Sequence, residues 1–189
     1  AAPFPWEKLR HSTLIYVSLG TLFNAGESFY RNCFEAFGDL DCQVVLATGN
    51  RVSGDLATSA PKNFVVERYV PQLEILQRAA AFVSHGGMNS ASESLYHGVP
   101  LVVIPQMGEQ MIVGLRLEQL GAGICLGRDH VTVPNLRRSV LQILDQKEFK
   151  IASQRIGDSF RLARGVKHAA DLIAAYFKTV GPSAHKVAL

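Results

Sequence analysis

The sequence predicts a doubly wound α/β domain, a parallel sheet of about six strands with helices on both faces. Three observations predict it. Six short apolar runs recur along the 189 residues, each closed by Gly or Pro. Segments with helical spacing of apolar residues separate these runs. The runs are continuously apolar instead of alternating, which is the pattern of strands covered on both faces.

The elements follow in order. "STLIYVSLGT" is a run of strand formers ending at Gly20, with Thr21 just beyond. Tyr30, Cys33, Phe34 and Phe37 then fall at i, i+3, i+4 and i+7, one buried helix face. "CQVVLATG" is the second strand. The stretch from Arg51 to Pro61 is polar and small, a loop with a helical turn. "NFVVERYVP" is the third strand, and Pro71 opens a short helical piece, "PQLEILQRA". "AAFVSHGG" is the fourth, followed by a helix ending near His97, where Gly98 caps it and Pro100 prevents its continuation. "PLVVIP" is the fifth strand, "EQMIVGLRLEQLG" a helix capped by Gly121, and "AGICLG" the sixth strand. From Val133 the chain reads as helical, with Leu136, Val140, Ile143 and Leu144 on one face, and two more helices run to about Thr179. Residues 1–12 read as a linker, 13–180 as one domain, and 181–189 as a frayed tail.

Composition narrows the function classes. At 48% hydrophobic and 19% charged residues the chain belongs with globular domains, not disordered ones. No apolar stretch approaches the ~20 residues that a spanning helix needs, and the first residues lack the pattern of a signal peptide. Cys33, Cys42 and Cys125 are widely spaced and odd in number, so neither a disulfide framework nor a zinc site is expected and the cytoplasm is the expected compartment. Arg137 to His168 holds eight Lys/Arg against three acids, whereas the rest of the chain is net negative. That run reads as the solvated face of terminal helices, and nucleic acid is not an expected partner.

In an open parallel sheet, ligands bind beyond the carboxyl ends of the strands, where the strand order switches. Polar and small residues gather at four such ends: Gly20-Thr21, Arg68-Tyr69-Val70, His85-Gly86-Gly87 and Gln106 to Gln110. At the fourth strand, Gly86 and Gly87 let backbone approach closely, and a helix begins whose free N–H groups and dipole suit a phosphate. His85 adds a donor, and Asn89 and Ser90 lie in the first turn. Each residue also has a plainer reading. Ser90 and Glu93 match Ser-x-x-Glu, a capping box that satisfies helix-end amides. His85 is equally readable as a hydrogen-bonded residue at a strand terminus, Tyr69 as core packing, and Glu109-Gln110 as the opening of a helix. Gly-x-Gly-x-x-Gly, the P-loop pattern and Gly-x-Ser-x-Gly are all absent, and no histidine pair has zinc-ligand spacing.

Together "YVSLGT", "ERYVPQLEIL" and "VSHGGMNSASESLYHGVPLVVIPQMGEQ" resemble the donor-binding domain of family-1 glycosyltransferases with the GT-B fold, on the branch of the bacterial macrolide glycosyltransferases. The resemblance runs from about Pro5 to Phe177. It implies that Tyr69 stacks on uracil and that Val70 pairs with the base edge through its backbone. Thr21 and His85 would meet the diphosphate, with Gly87, Asn89 and Ser90 at the adjoining helix start. Glu93 would take ribose hydroxyls, and Glu109 and Gln110 the transferred sugar. Tyr69 replaces the tryptophan common in plant members, Met88 stands where they often have another, and Glu109 replaces a frequent aspartate.

The resemblance also implies a partner domain, N-terminal to this one, that holds the acceptor and the catalytic histidine. None of the six histidines of this chain matches that base, so no catalytic residue is expected within it. The expected activity is UDP-sugar binding within an inverting hexosyltransferase that acts on a hydroxyl of a small lipophilic acceptor. No metal or cofactor is expected, the UDP-sugar being a substrate. The alternatives are a natural one-domain subunit that works with a separate acceptor protein, and an unrelated nucleotide-binding oxidoreductase domain.

Overall fold

A computed structural model of the chain describes residues 4–20, 26–49, 55–163 and 165–180. Thr21, the tail at 181–189 and the start of the expected linker lie outside them.

Six parallel strands form one sheet: β1 (Leu14–Ser18), β2 (Gln43–Ala47), β3 (Phe64–Glu67), β4 (Ala81–Ser84), β5 (Leu101–Val103) and β6 (Gly123–Cys125). Their order is β3-β2-β1-β4-β5-β6, so the direction of winding reverses between β1 and β4. Ile15 pairs with Val44 on one side and Ala81 on the other, which brings the ends of these strands level.

Each apolar run divides its side chains between two cores. Ile15 and Val17 point to one face, where α1 (Glu27–Phe37) and α6 (Val133–Asp145) cover them with Phe34, Phe37, Leu136 and Val140. Leu14 and Tyr16 point to the other, beneath α3 (Gln72–Leu76), α4 (Met88–Tyr96) and α5 (Gly108–Gln119). This two-sided burial is why the strands read as unbroken hydrophobic runs; each such side chain contributes roughly 1.5–3 kcal/mol. The turn expected before Pro61 is α2 (Asp55–Thr58), and α7 (Lys147–Leu162) packs behind α4. There Gly157 lets the backbones meet, since a Cβ at that position would lie 2.3 Å from the Leu95 carbonyl oxygen. Residues of the last helix, α8 (Gly165–Val180), are exposed from Val166 to Thr179.

The segment before β1 lies against the domain. Phe4 and Leu9 pack on the second core. The Arg78 guanidinium sits 4.4 Å above the Trp6 ring, and the Arg10 amide donates to Gln43 Oε1 at 3.0 Å.

Candidate functional site

The reversal between β1 and β4 opens a crevice of about 520 Å³ at the carboxyl ends of the strands. Its floor is the end of β1, where Gly20 turns the chain away with φ +84°, a conformation that favours glycine. Across from it, β4 ends at Ser84, whose hydroxyl accepts from the Gly86 amide at 3.2 Å. Gly86 has φ +82°, and a Cβ there would meet Val103 Cγ1 at 2.5 Å.

His85 stands between two glycines. A Cβ on Gly20 would approach its Cε1 to 3.0 Å, and a Cβ on Gly87 its Nε2 to 2.4 Å. The imidazole therefore occupies a slot that exists because both neighbours lack side chains. Its Nδ1 is buried and has no hydrogen-bond partner among the described residues. Burial pushes its pKa below the usual 6.5, and the nearby Glu109 charge opposes that shift. The neutral ring is thus favoured, with one nitrogen available as a donor.

The helix α4 begins next to it. Gly87 is the N-cap and makes no side-chain cap, so the first amides of the helix are left without an internal partner. Gly87, Asn89 and Ser90 all line the crevice there. The capping box expected from Ser90 and Glu93 does not form, because the helix starts at Met88 and both residues lie inside it. They turn instead toward Gln72: its Nε2 donates to Glu93 Oε2 at 2.6 Å and reaches Ser90 Oγ at 3.5 Å. Glu93 is half-buried behind Gln72 and lines a neighbouring groove with Leu73, Tyr96 and Phe160, not the crevice itself.

The third strand end supplies a flat wall. Tyr69 is 57% exposed, so it is not the core residue that its type alone suggests. Its ring and Val70 both line the crevice. From the fifth strand end come Glu109 and Gln110, which differ in role. Glu109 is exposed. Gln110 is buried, and its Oε1 accepts from the amides of Gln106 and Met107 at 2.8 and 3.2 Å, capping α5. Its amide nitrogen makes no hydrogen bond among the described residues.

The structure thus gathers Tyr69, Val70, His85, Gly87, Asn89, Ser90, Glu109 and Gln110 around one cavity, with Glu93 one layer behind. Thr21 falls outside the described residues. Arg68, expected at the third strand end, also lines the crevice; sequence reasoning missed Tyr16, Ser18 and Gln72, which do so too. The chain's one Asp-x-Asp pair, Asp39 and Asp41, lies at the opposite end of the sheet, bonded to Arg137 and His11. Among the described residues no group of three His, Cys, Asp or Glu is placed to hold a metal ion.

Strand order and crevice define the class, a doubly wound α/β domain with its ligand crevice at the switch point. The family model of the Erythromycin biosynthesis protein CIII-like C-terminal domain matches residues 31–164, and the chain belongs to that family. It is 38% identical over 182 residues to an uncharacterized UDP-glucosyltransferase, YojK, of Bacillus subtilis (strain 168), covering 96% of this chain and 45% of that protein. With the oleandomycin glycosyltransferase of Streptomyces antibioticus it shares 34% identity over 163 residues, 86% of this chain and 38% of that one. Among solved structures, CalG4, the calicheamicin glycosyltransferase, superposes with a TM-score of 0.83 at 28% identity over 90% of this chain and 45% of that chain. The chain therefore spans less than half the length of these relatives. No helix among the described residues is long and apolar enough to cross a membrane.

Proposed function

We propose that this chain is the nucleotide-sugar-binding half of an inverting glycosyltransferase that moves a hexose, glucose from UDP-glucose in our reading, to a hydroxyl of a small lipophilic acceptor. The observation that carries the reading is the crevice at the β1–β4 reversal. An exposed aromatic face, a slotted imidazole beside an uncapped helix start and an acidic sugar-side residue surround one cavity. Tyr69 offers its ring to the uracil, and the Val70 backbone meets the base edge. His85 and the first amides of α4, with Thr21, take the diphosphate. Gln72, with Glu93 bonded behind it, takes ribose hydroxyls, and Glu109 and the Gln110 amide take the hexose.

In this reaction the acceptor oxygen attacks the anomeric carbon as its bond to the diphosphate breaks. Negative charge grows on the departing UDP. His85 and the α4 amides are already in place and stabilise that charge without rearrangement. The base that removes the acceptor proton belongs to an upstream acceptor-binding domain, so the chain binds donor without turning it over. The cytoplasm suits its three free thiols. Calorimetry of the 189-residue chain with UDP tests the site, with binding expected. Absence of binding heat overturns the reading. Glycosylation of a hydroxylated acceptor by this chain alone overturns the assignment of the base to another domain.

A further inference from the structure

A chain of polar side chains from three elements runs beneath the crevice. Tyr16 on β1 is 1% exposed, and its ring stacks on Phe82 with centroids 4.5 Å apart. Its hydroxyl donates to Gln72 Oε1 at 2.9 Å. Gln72, at the first turn of α3, passes the interaction to Glu93 on α4 through its Nε2.

The direction of this chain is set from its acidic end. An ionised carboxylate only accepts, so the Gln72 NH2 must face Glu93. Its carbonyl oxygen then faces Tyr16, which must donate. Burial keeps the Tyr16 hydroxyl protonated by raising its pKa to about 12, the Ser18 hydrogen bond opposing and the Glu93 charge adding to the rise. The phenol is thus a buried donor on a strand in the middle of the sheet.

We propose that Tyr16 is a positioning residue for ribose recognition: it fixes the Gln72 side chain, which lines the crevice, and with it the Glu93 carboxylate bonded behind. This rests on the donor-site reading above, in which Gln72, backed by Glu93, takes the ribose. Without the phenolic hydroxyl the Gln72 amide is free to turn, and the carboxylate behind it loses its fixed orientation.

Tyr16→Phe tests this in the 189-residue chain, because phenylalanine keeps the ring stacked on Phe82. Calorimetry compares UDP with 2′,3′-dideoxyuridine diphosphate, which keeps base and diphosphate but lacks both hydroxyls. The variant is expected to bind UDP about five- to tenfold more weakly, the value of one such hydrogen bond, and the dideoxy probe within about twofold of wild type. Nitrogen-15 NMR of the Gln72 side-chain amide gives a reading independent of ligand. In wild type its NH2 protons are expected to exchange slowly and unequally, and in Tyr16→Phe to approach those of a free glutamine. Equal losses for both probes, unchanged UDP binding or an unaltered Gln72 signal overturns the proposal while the donor site stands. Failure of the wild type to bind UDP removes the donor site and this proposal with it.

Discussion

Replacing Gly87 with alanine acts first on His85, whose ring holds the nearest atoms to the new Cβ. The Gly87 backbone has φ −61° and ψ 140°, values that alanine adopts without strain. Its new Cβ would stand 2.4 Å from His85 Nε2 and 3.1 Å from Cε1. A normal carbon contact is about 3.5 Å, so the ring must retreat by about 1 Å. Gly20 closes the slot on the other side, leaving the imidazole no room to slide and keep its place. A hydrogen bond to a charged group contributes about 1.5–3 kcal/mol. Gly87→Ala should therefore weaken UDP binding about ten- to a hundredfold, with the fold retained. His85→Ala removes the same donor and should lose about as much. Calorimetry on both single variants and the double variant makes the test strict. The double variant should bind no more weakly than His85→Ala, because the methyl group has no further ring to displace. Additive losses would refute the steric route through His85, and an unchanged affinity in Gly87→Ala would refute the phosphate role itself.

Three other outcomes follow from the same geometry. Tyr69→Ala should lose about 1–3 kcal/mol of stacking on the base, read as a fall in UDP affinity with little change in melting temperature. His85 has its pKa depressed in the fold, so below about pH 6.5 the unfolded chain takes up a proton that the folded chain resists. Stability is therefore full above that pH and falls as pH drops through the folded value. Melting temperatures between pH 7.5 and 5.5 should decline more steeply in wild type than in His85→Gln, and equal slopes would contradict the buried neutral ring. Gly157→Ala would drive a methyl group to 2.3 Å from the Leu95 carbonyl where α7 crosses α4. Chemical denaturation should show a loss of about 1–3 kcal/mol, despite the better helix propensity of alanine.

The sheet was legible because burial on both faces leaves a direct mark on sequence. Runs such as Leu14–Val17 and Leu101–Ile104 have no polar position to obscure them. The position of the crevice was also legible, since it follows from where parallel strands end and not from any one side chain. Helix starts were harder. Ser90 and Glu93 fit a capping pattern at the right place, yet Gly87 begins the helix three residues earlier and the pattern is coincidental. The pairing of Glu109 with Gln110 likewise concealed a division of labour, one exposed and one buried as a cap. Tyr16 and Gln72 escaped notice for another reason. Their hydrogen bond spans 56 residues, and tyrosine in an apolar strand looks like core until its hydroxyl is given a partner. What remains local in sequence can be read there; what depends on two distant elements meeting cannot.

The segment before β1 has a consequence for how the domain breathes. Trp6 is clasped by Arg78 just beyond α3, and Phe4 and Leu9 fill the same core that α3 closes. That helix is only five residues long and has no side-chain cap, so its own hydrogen bonds hold it weakly. Its amides should therefore exchange with solvent at rates set by the strap outside the sheet. Cutting the chain at residue 12, at the boundary that composition suggests, would loosen the ground on which Gln72 stands while leaving every crevice residue in the sequence.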